Sequence, residues 1–268
     1  MILKHDMKEI KLNNRGSALI SVLVVTTFIT IIATTMLYMA AMNYQQKLTD
    51  YQNKESFYDA EKSLDELKSL LVADVQEAYV YAYNKTGRQI LLLKTSDARR
   101  NYFQDEFMAK LNEIWAERVN QAKIADSTLD DAKARVMAVR SVLAAKGGAY
   151  ATEADCIYKV DDFGVYEVAD GTTESRRKFV IKGIQTKATS TTTAGSYTTF
   201  LYTDICLEPP QVDWSASGSS TFSGTEAVER ETIAFTDYVT YINWHKADYD
   251  ESGNYDTQVG TKLTPAGP

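Results

Sequence analysis

The sequence predicts an α+β protein in which one long N-terminal helix packs against a head built on an antiparallel sheet. Three observations lead to this prediction: an uncharged apolar run near the N-terminus, a one-sided apolar pattern directly after it, and several strand-like segments in the second half of the chain. The 268 residues are enough for one domain of about 200 residues behind the N-terminal segment.

Charge is unevenly distributed along the chain. The formal net charge is -7, but residues 1–16 carry an excess of positive charge, with Lys4, Lys8, Lys11 and Arg15 against Asp6 and Glu9. Everything after residue 16 is therefore strongly acidic. Because an acidic domain repels phosphate backbones, we expect no nucleic-acid partner.

The stretch from Gly16 to Gln46 contains no charged residue. As a helix it would be about 45 Å long, against about 30 Å for the hydrocarbon core of a bilayer. The basic residues before it favour a cytoplasmic N-terminus and a head outside the cell. We therefore expect residues 17–42 to form a single span of the cytoplasmic membrane.

Three kinds of N-terminal segment could carry such a run. A cleavable secretory signal has a shorter apolar core that ends in small residues, and Tyr38-Met39-Ala40 is a poor site of that kind. An uncleaved signal anchor remains open. The third kind is a segment whose basic lead ends in a glycine, Gly16, at the edge of an apolar run that no helix breaker follows.

The apolar run continues into an amphipathic pattern with no Pro or Gly between Ser17 and Lys85. Its apolar residues recur three or four apart or at multiples of seven: Tyr44, Leu48, Tyr51, Tyr58, Leu64, Leu67, Leu71, Val75 and Ala78. This spacing is typical of one helical face. Residues 43–86 are thus predicted to continue the helix of residues 17–42, giving about 65 helical residues.

The head, residues 87–268, begins with an ambiguous segment and a helical insertion. QILLLKT, residues 89–95, could be a short strand or a helix end. Residues 99–148 predict two helices, the second capped by Asp126 or Ser127 and ending at Gly147-Gly148. The first places its apolar residues on one face: Phe103, Phe107, Leu111, Ile114, Trp115 and Val119.

Residues 155–246 are mainly β in character. CIYKV, FGVYEVA, RRKFVIKGIQT and SYTTFLYTDICLE are strand-like, and the last two are predicted to form a hairpin around residues 191–195. ETIAFTDYVTYINWHK, residues 231–246, predicts another strand. The Ser-, Gly- and Thr-rich tract 213–225 is expected to be a loop, and residues 247–268 a loose tail.

Catalytic patterns are missing from the sequence, so we expect no enzyme and assign no catalytic residue. His245 is the only histidine after the leader, which removes most Ser-His-Asp and Cys-His schemes. The adjacent carboxylates Asp130-Asp131 and Asp161-Asp162 are interpreted as solvated, because neighbours on a helix or strand do not face one another.

The two cysteines, Cys156 and Cys206, allow two interpretations. They could form one disulfide in an exported domain, or remain two buried thiols that behave as small apolar residues.

One segment resembles part of a calcium loop. Asp248, Asp250, Ser252 and Asp256 follow the oxygen-ligand spacing of D-x-D-x-S-G, but Val259 stands where a bidentate glutamate is expected. Calcium is the one cofactor that the sequence suggests, and a hydrophilic tail is the alternative.

The N-terminal segment resembles a type IV prepilin: a basic leader ending in Arg15-Gly16, then SALISVLVVTTFITIIATTML. FYDAEKSLDELKSLL, residues 57–71, is similar to minor pilins of the PilX and type II secretion pseudopilin K group, which also carries a helical insertion in its head. The resemblance covers about the first 75 residues. It implies a pilin-like fold, a leader of residues 1–16, cleavage between Gly16 and Ser17 by a prepilin peptidase, and N-methylation of Ser17.

One departure from the family pattern concerns Ser21. Major pilins usually carry a glutamate at the fifth mature position, where it offsets a neighbour's terminal ammonium in the filament core. The resemblance therefore implies a structural minor pilin or pseudopilin, at a priming or tip position on a pilus or the cell surface. Its partners would be other major and minor pilins, the prepilin peptidase, the inner-membrane assembly platform and, before assembly, lipid.

The alternative function is an uncleaved, single-pass surface protein that binds an extracellular ligand through its head.

Overall fold

The computed structural model describes residues 14–145, 155–168, 176–192, 195–212, 214, 233–247 and 261–263. The described helices are α1 (Asn14–Arg88), α2 (Ser96–Ala125), α3 (Asp131–Ala144) and a 3-10 helix (Phe235–Tyr238). The strands are β1 (Ile157–Lys159), β2 (Asp162–Val168), β3 (Arg176–Thr192), β4 (Gly195–Leu207), β5 (Val239–Lys246) and β6 (Thr261–Lys262). The chain divides into two compact units, residues 1–51 and 52–268.

Helix α1 is a single element of 75 residues, so the predicted long N-terminal helix is confirmed. Its sequence explains why it runs so far. Proline and glycine, which break or weaken helices, are absent between Ser17 and Lys85, and the helix ends just after Gly87. Lys85 and Arg88 lie in the last turn, where positive charge favours the helix dipole.

The described strands form one antiparallel sheet of six strands, as the α+β prediction requires. The order is β5-β4-β3-β2-β6, and β1 pairs with β3 off this path. The hairpin predicted from the sequence is the centre of the sheet: β3 and β4 pair from Phe179 with Leu207 to Thr192 with Gly195.

The main core of residues 52–268 lies between the helices and one face of the sheet. Its α1 members follow the helical repeat: Ala60, Leu64, Leu67, Leu71, Val75, Ala78 and Ala82. The central strands contribute alternate residues from the facing side: Phe179, Ile181, Leu201, Ile205 and Leu207. The opposite face of the sheet carries a smaller cluster that includes Val180 and Cys206.

The tyrosine part of the predicted α1 stripe is wrong. Tyr44, Tyr51 and Tyr58 are exposed, whereas the stripe from Leu64 onward is buried as expected. The reason is phase: Tyr58 lies nine residues before Leu67, which is two and a half helical turns, so the two residues point to opposite sides.

Polar residues replace apolar ones where the buried face of α1 begins. Gln52 and Ser56 are both buried. The amide of Gln52 donates to Thr192 Oγ1 at 2.8 Å and to the Gly195 carbonyl at 2.7 Å, so it binds both strands at the tip of the β3–β4 hairpin. Ser56 Oγ lies 2.7 Å from Thr199 Oγ1. These bonds fix the position of the hairpin tip along α1.

The two predicted insertion helices are present as α2 and α3, and their apolar faces join the main core. Phe103, Phe107, Leu111 and Trp115 are buried. They belong to the same cluster as the α1 stripe, so the insertion has no separate core. Arg118 of α2 makes two hydrogen bonds to the nearly buried Asp74 of α1, at 2.5 and 2.6 Å, and ties the two helices together.

The predicted cap of α3 is wrong. Asp130 caps the helix, because its carboxylate accepts from Lys133 N at 2.7 Å. Asp126 instead closes the turn between α2 and α3, where its carboxylate accepts from the backbone and hydroxyl of Thr128. Asp131 pairs with Lys123.

The structure decides one alternative that the sequence left open, and two other segments differ from the sequence prediction. Residues 89–95 form turns at the end of α1, which leaves helix end as the correct alternative to a strand. The segment predicted as a strand over 231–246 has a 3-10 helix at Phe235–Tyr238 before β5, because Asp237 N bonds back to the Ala234 carbonyl. Thr261–Lys262, predicted as tail, pairs with β2 as β6.

We predict that Leu71→Ala lowers the free energy of unfolding by about 2–5 kcal/mol, because the fully buried side chain leaves a cavity. Urea unfolding of the full chain in nonionic detergent, followed by tryptophan fluorescence, measures the change. Leu92→Ala is the matched control: Leu92 is 75% exposed, so its loss should change stability by less than about 0.5 kcal/mol. Equal effects at both positions would contradict the placement of Leu71 in the core.

Candidate functional site

The apolar part of α1 is the first candidate. Its large apolar side chains between residues 19 and 42 are all exposed, from 41% at Ile32 to 73% at Leu37. A core helix of a soluble protein would bury such residues, but none of the most apolar window is covered by the protein. Among the described residues, this helix alone is long and apolar enough to be a membrane span.

Threonines in this segment direct their hydroxyls into the helix itself. Thr27 Oγ1 donates to the Leu23 and Val24 carbonyls, each at 2.9 Å, and Thr30 Oγ1 donates to the Thr26 carbonyl at 2.7 Å. The same type of bond is made by Thr26, Thr34 and Thr35. Hydroxyls satisfied in this way can face an apolar environment at low cost.

The positions tied to processing lie at the start of the same helix. Gly16 and Ser17 are within the first turn of α1, which begins at Asn14. Ser21 is exposed one turn later. Residues 1–13 of the predicted leader lie outside the described residues.

A buried carboxylate, Asp204, occupies the centre of the sheet and is the second candidate. Its oxygens accept from Gly183 N at 2.6 Å and from Asn243 Nδ2 at 2.7 Å. Both donors have positive φ, 68° at Gly183 and 56° at Asn243. Gly183 lies in β3 and Asn243 in β5, the two strands that pair with β4. At each of these positions the strand has one extra residue relative to β4, which shifts the pairing register. Asp204 therefore holds a bulge in β3 on one side and a bulge in β5 on the other.

Gly183 cannot be replaced by a larger residue in this arrangement. Besides its positive φ, a Cβ at this position would lie 2.1 Å from Asp161 Oδ2. Asp161 keeps 35% of its side chain exposed and lies 3.9 Å from Lys159 Nζ, so the interpretation of this carboxylate as solvated holds only in part. Burial is the main cause that raises the pKa of both Asp161 and Asp204. At Asp161 the nearby Lys159 ammonium opposes this rise, and the Asp204 carboxylate adds to it.

The cysteines are not joined by a disulfide, so the disulfide alternative is wrong. Cys206 is buried on the face of the sheet opposite the helices, whereas Cys156 packs against the main core. Ile157 pairs with Thr186, which pairs with Leu201, and Cys206 lies five residues further along β4, about 17 Å. A disulfide requires Cα atoms within about 7 Å. Burial raises the pKa of the Cys206 thiol to about 12, so it stays protonated.

The remaining sequence candidates do not form a chemical site within the described residues. His245 stacks on Tyr202 at 5.0 Å, and its Nδ1 lies 2.7 Å from the Asn243 carbonyl. No three His, Cys, Asp or Glu residues in the described part of the chain are placed to hold a metal. The calcium prediction at Asp248, Asp250, Ser252 and Asp256 lies outside the described residues.

A groove of about 700 Å³ on the head is the third candidate. It lies between the first turns of α2 and the residues that follow β4, including Glu208, Pro209, Pro210 and Gln211. Two ion pairs line it: Arg177 with Asp105, and Lys178 with Glu208 at 2.7 Å. Because these charges are already paired within the protein, the groove suits a polar, uncharged ligand better than a phosphate.

The sequence analysis missed Asp204 although the signal was present. Asp204 is the only charged residue in the run from Tyr197 to Leu207, and a lone carboxylate in a buried strand needs partners. A glycine inside a strand pattern, such as Gly183, indicates a bulge. The sequence could not show that the two bulges lie on opposite sides of the same carboxylate.

We predict that Asp204→Asn gains stability relative to the native chain as pH rises. The folded protein binds this proton more tightly than the unfolded chain does, because burial raises the pKa of Asp204. The native residue therefore contributes stability below the unfolded pKa of about 3.9, and this contribution is lost as pH rises through the folded value. Urea unfolding of both chains at a series of pH values measures the difference.

Asp126→Asn is the control of opposite sign. Hydrogen bonds from Thr128 lower the pKa of the exposed Asp126, so this variant should lose stability relative to the native chain as pH rises. If the stability of Asp204→Asn relative to the native chain stayed constant or fell as pH rises, a raised pKa for the buried Asp204 carboxyl would be contradicted.

Comparison with known proteins returned no match: the chain matches no protein-family model, no curated protein and no solved structure. The function proposed below rests on the residues and geometry of the chain itself.

Proposed function

We propose that this protein is a structural minor pilin or pseudopilin that serves as a priming or tip subunit of a type IV pilus or a related secretion filament. The observation that carries the proposal is the character of α1. One helix carries an uncharged apolar segment whose large side chains are all exposed, and it continues into a segment that packs on an α+β head. The basic residues and the Gly16-Ser17 step at its start are what a prepilin peptidase recognises in this family.

The mechanism is the exchange of one apolar environment for another. Before assembly, lipid tails surround the helix of residues 17–42; in the filament, helices of other pilins replace the lipid. Lipid and packed helices are similarly apolar, so the hydrophobic effect does little to separate the two states. Close helix packing and the assembly machinery therefore drive the transfer, and the internally bonded threonines tolerate both environments.

A tip or priming position is supported by Ser21. A carboxylate at this position would offset the terminal ammonium of a neighbouring subunit, and an unpaired charge in an apolar core is costly. A subunit without the carboxylate is poorly suited to repeat along a shaft. At a tip, no further subunit needs that partner.

The groove beside α2 supports a second function, an anchored surface protein that binds a polar extracellular ligand and never polymerises. Its volume suits a small ligand or a short peptide segment. Processing of the leader separates the two functions, because an anchored binding protein keeps its N-terminus.

We predict that the mature chain begins at an N-methylated Ser17 in cells that have a prepilin peptidase, and that it keeps its leader in cells that lack the peptidase. Mass spectrometry of the N-terminus of the membrane-extracted protein measures both. The same leader in both strains would contradict the pilin proposal and favour the anchored binding protein.

Two variants test the site itself. Gly16→Leu should keep the leader, because a side chain at this position blocks the close approach of a peptidase to the backbone. Ser17→Ala keeps a small residue after the cleaved bond and should still be processed.

We predict that Ser21→Glu raises the number of copies of this protein in sheared filaments relative to the major pilin. The new carboxylate supplies the partner that a following subunit's ammonium needs. Quantitative mass spectrometry of purified filaments measures the ratio.

Ser21→Gln is the matched control, since it has nearly the size of glutamate without the charge. A native chain already present in numbers comparable to the major pilin would overturn the tip position. A glutamate variant that behaves like the glutamine variant would show that charge at this position does not limit incorporation.

A further inference from the structure

The connection between α1 and α2, residues 89–95, exposes two adjacent leucines. Leu91 is 89% exposed and Leu92 is 75% exposed, among the highest values for apolar residues in the described chain. Ile90 and Leu93 on either side are only partly buried. We refer to residues 89–95 as the leucine turn.

The leucine turn is held in place at both ends. On the α1 side, Gln89 N bonds to the Thr86 carbonyl at 3.0 Å, and Leu93 N bonds to the Gln89 carbonyl at 3.0 Å. On the α2 side, Thr95 caps the helix by accepting from Ala98 N at 3.2 Å. The leucines thus lie on an ordered turn. Exposure of their apolar side chains to water is unfavourable there, and the ordered backbone does not offset it with the conformational entropy of a loose loop.

A guanidinium fastens the base of the turn to the head. Arg99 Nε donates to the Leu93 carbonyl at 2.8 Å, and Arg99 Nη1 donates to the Trp214 carbonyl at 3.2 Å. Trp214 is itself nearly buried against Phe103 and Tyr83. The turn therefore stands on the main core.

The surroundings of the leucine turn are basic in an acidic protein. Residues 88–100 contain Arg88, Lys94, Arg99 and Arg100 against the single acid Asp97, whereas the whole chain carries a net charge of -7. Arg88 and Lys94 are both exposed; Arg88 lies two residues before the apolar run 90–93, and Lys94 directly follows it. Elsewhere the net negative charge would repel an anionic surface, and here the local charge reverses that repulsion.

We propose that the leucine turn docks the head onto anionic phospholipid bilayers. Leu91 and Leu92 insert into the boundary between headgroups and acyl chains, and Arg88 and Lys94 contact the phosphates beside them. Two leucines give weak apolar anchoring on their own, so attachment is reversible and depends on the anionic charge of the surface.

The shape of the turn favours lipid over a protein partner. Leu91 and Leu92 have three-quarters or more of their surface exposed, and a protein would need a preformed apolar cavity with an acidic rim to receive them. A bilayer needs no such complement, because lipid rearranges around an apolar projection. The proposal concerns the head alone and holds whether or not the chain assembles into a filament.

The test places the full chain in nanodiscs of phosphatidylcholine, so that its apolar helix is already satisfied, and adds separate vesicles. The nanodiscs should float with vesicles that contain phosphatidylglycerol and stay behind with vesicles of phosphatidylcholine alone. Empty nanodiscs control for lipid–lipid contact. Added salt should weaken the binding, because it screens the cations.

Variants localise the binding to the turn. Leu91→Glu with Leu92→Glu should lower the fraction bound at least about tenfold, through lost insertion and added repulsion. Arg88→Gln with Lys94→Gln should lower it at least about fivefold. Ile124→Glu is the matched control, since Ile124 is 84% exposed at the end of α2. This variant also adds a negative charge, but it should leave the fraction bound unchanged because Ile124 lies outside the leucine turn. Unchanged tryptophan fluorescence confirms that each variant is folded.

Three results would overturn the proposal: no flotation with anionic vesicles, flotation that the leucine variant shares with the native chain, or equal flotation with neutral vesicles. If folded chains do not float with anionic vesicles, the leucine turn would instead insert into an acid-rimmed cavity of a partner protein. Loss of binding in the leucine variant and its retention in the Ile124 control supports the assignment.

Discussion

Burial of one face of α1 between Ala60 and Ala82 is the interaction on which the rest of the head depends. The small and branched residues of this face belong to one cluster with buried residues of the sheet, α2 and α3, so one helix supplies a side of the only large core in residues 52–268 that the structure describes. Apolar area removed from water is the dominant favourable term in folding, and the α1 stripe shares this buried area with Phe179 and Ile181 of β3 and Leu201, Ile205 and Leu207 of β4. The polar contacts of Gln52 and Ser56 then set the register along the helix at the hairpin tip.

The sheet meets this helix with a central strand that carries its own constraint. Asp204 is fully buried in β4 and accepts hydrogen bonds from a bulge on each side. A buried carboxylate is costly unless it is paired, and here the two bulges bring the donors that satisfy it. The same bulges increase the local twist of the sheet, which helps a twisted surface to wrap around a helix. Asp204 therefore couples strand geometry to the packing of the core.

Function follows from which surfaces the fold leaves uncovered. Between Leu19 and Met42 every large apolar residue is exposed. A helix surface of this kind is suited to lipid or to other apolar helices. The head is acidic, and two surfaces of its described residues differ from the rest: the groove beside α2 and the leucine turn with its basic neighbours.

Local pattern by itself determined much of this protein. The uncharged run, the absence of helix breakers to Lys85, the helical repeat from Leu64 to Ala78 and the β3–β4 hairpin were all readable, because each depends on residues close together in sequence. Only the tertiary structure decided that Tyr58 lies opposite the core, that Cys156 and Cys206 are on different faces of the sheet, and that residues 261–262 return to pair with β2. The partners of Asp204 belong to the same class: Gly183 and Asn243 are 21 and 39 residues away, and their approach depends on strand pairing. Long-range contacts of this kind are selected by packing and by the need to satisfy buried polar groups, neither of which is written in a local stretch of sequence.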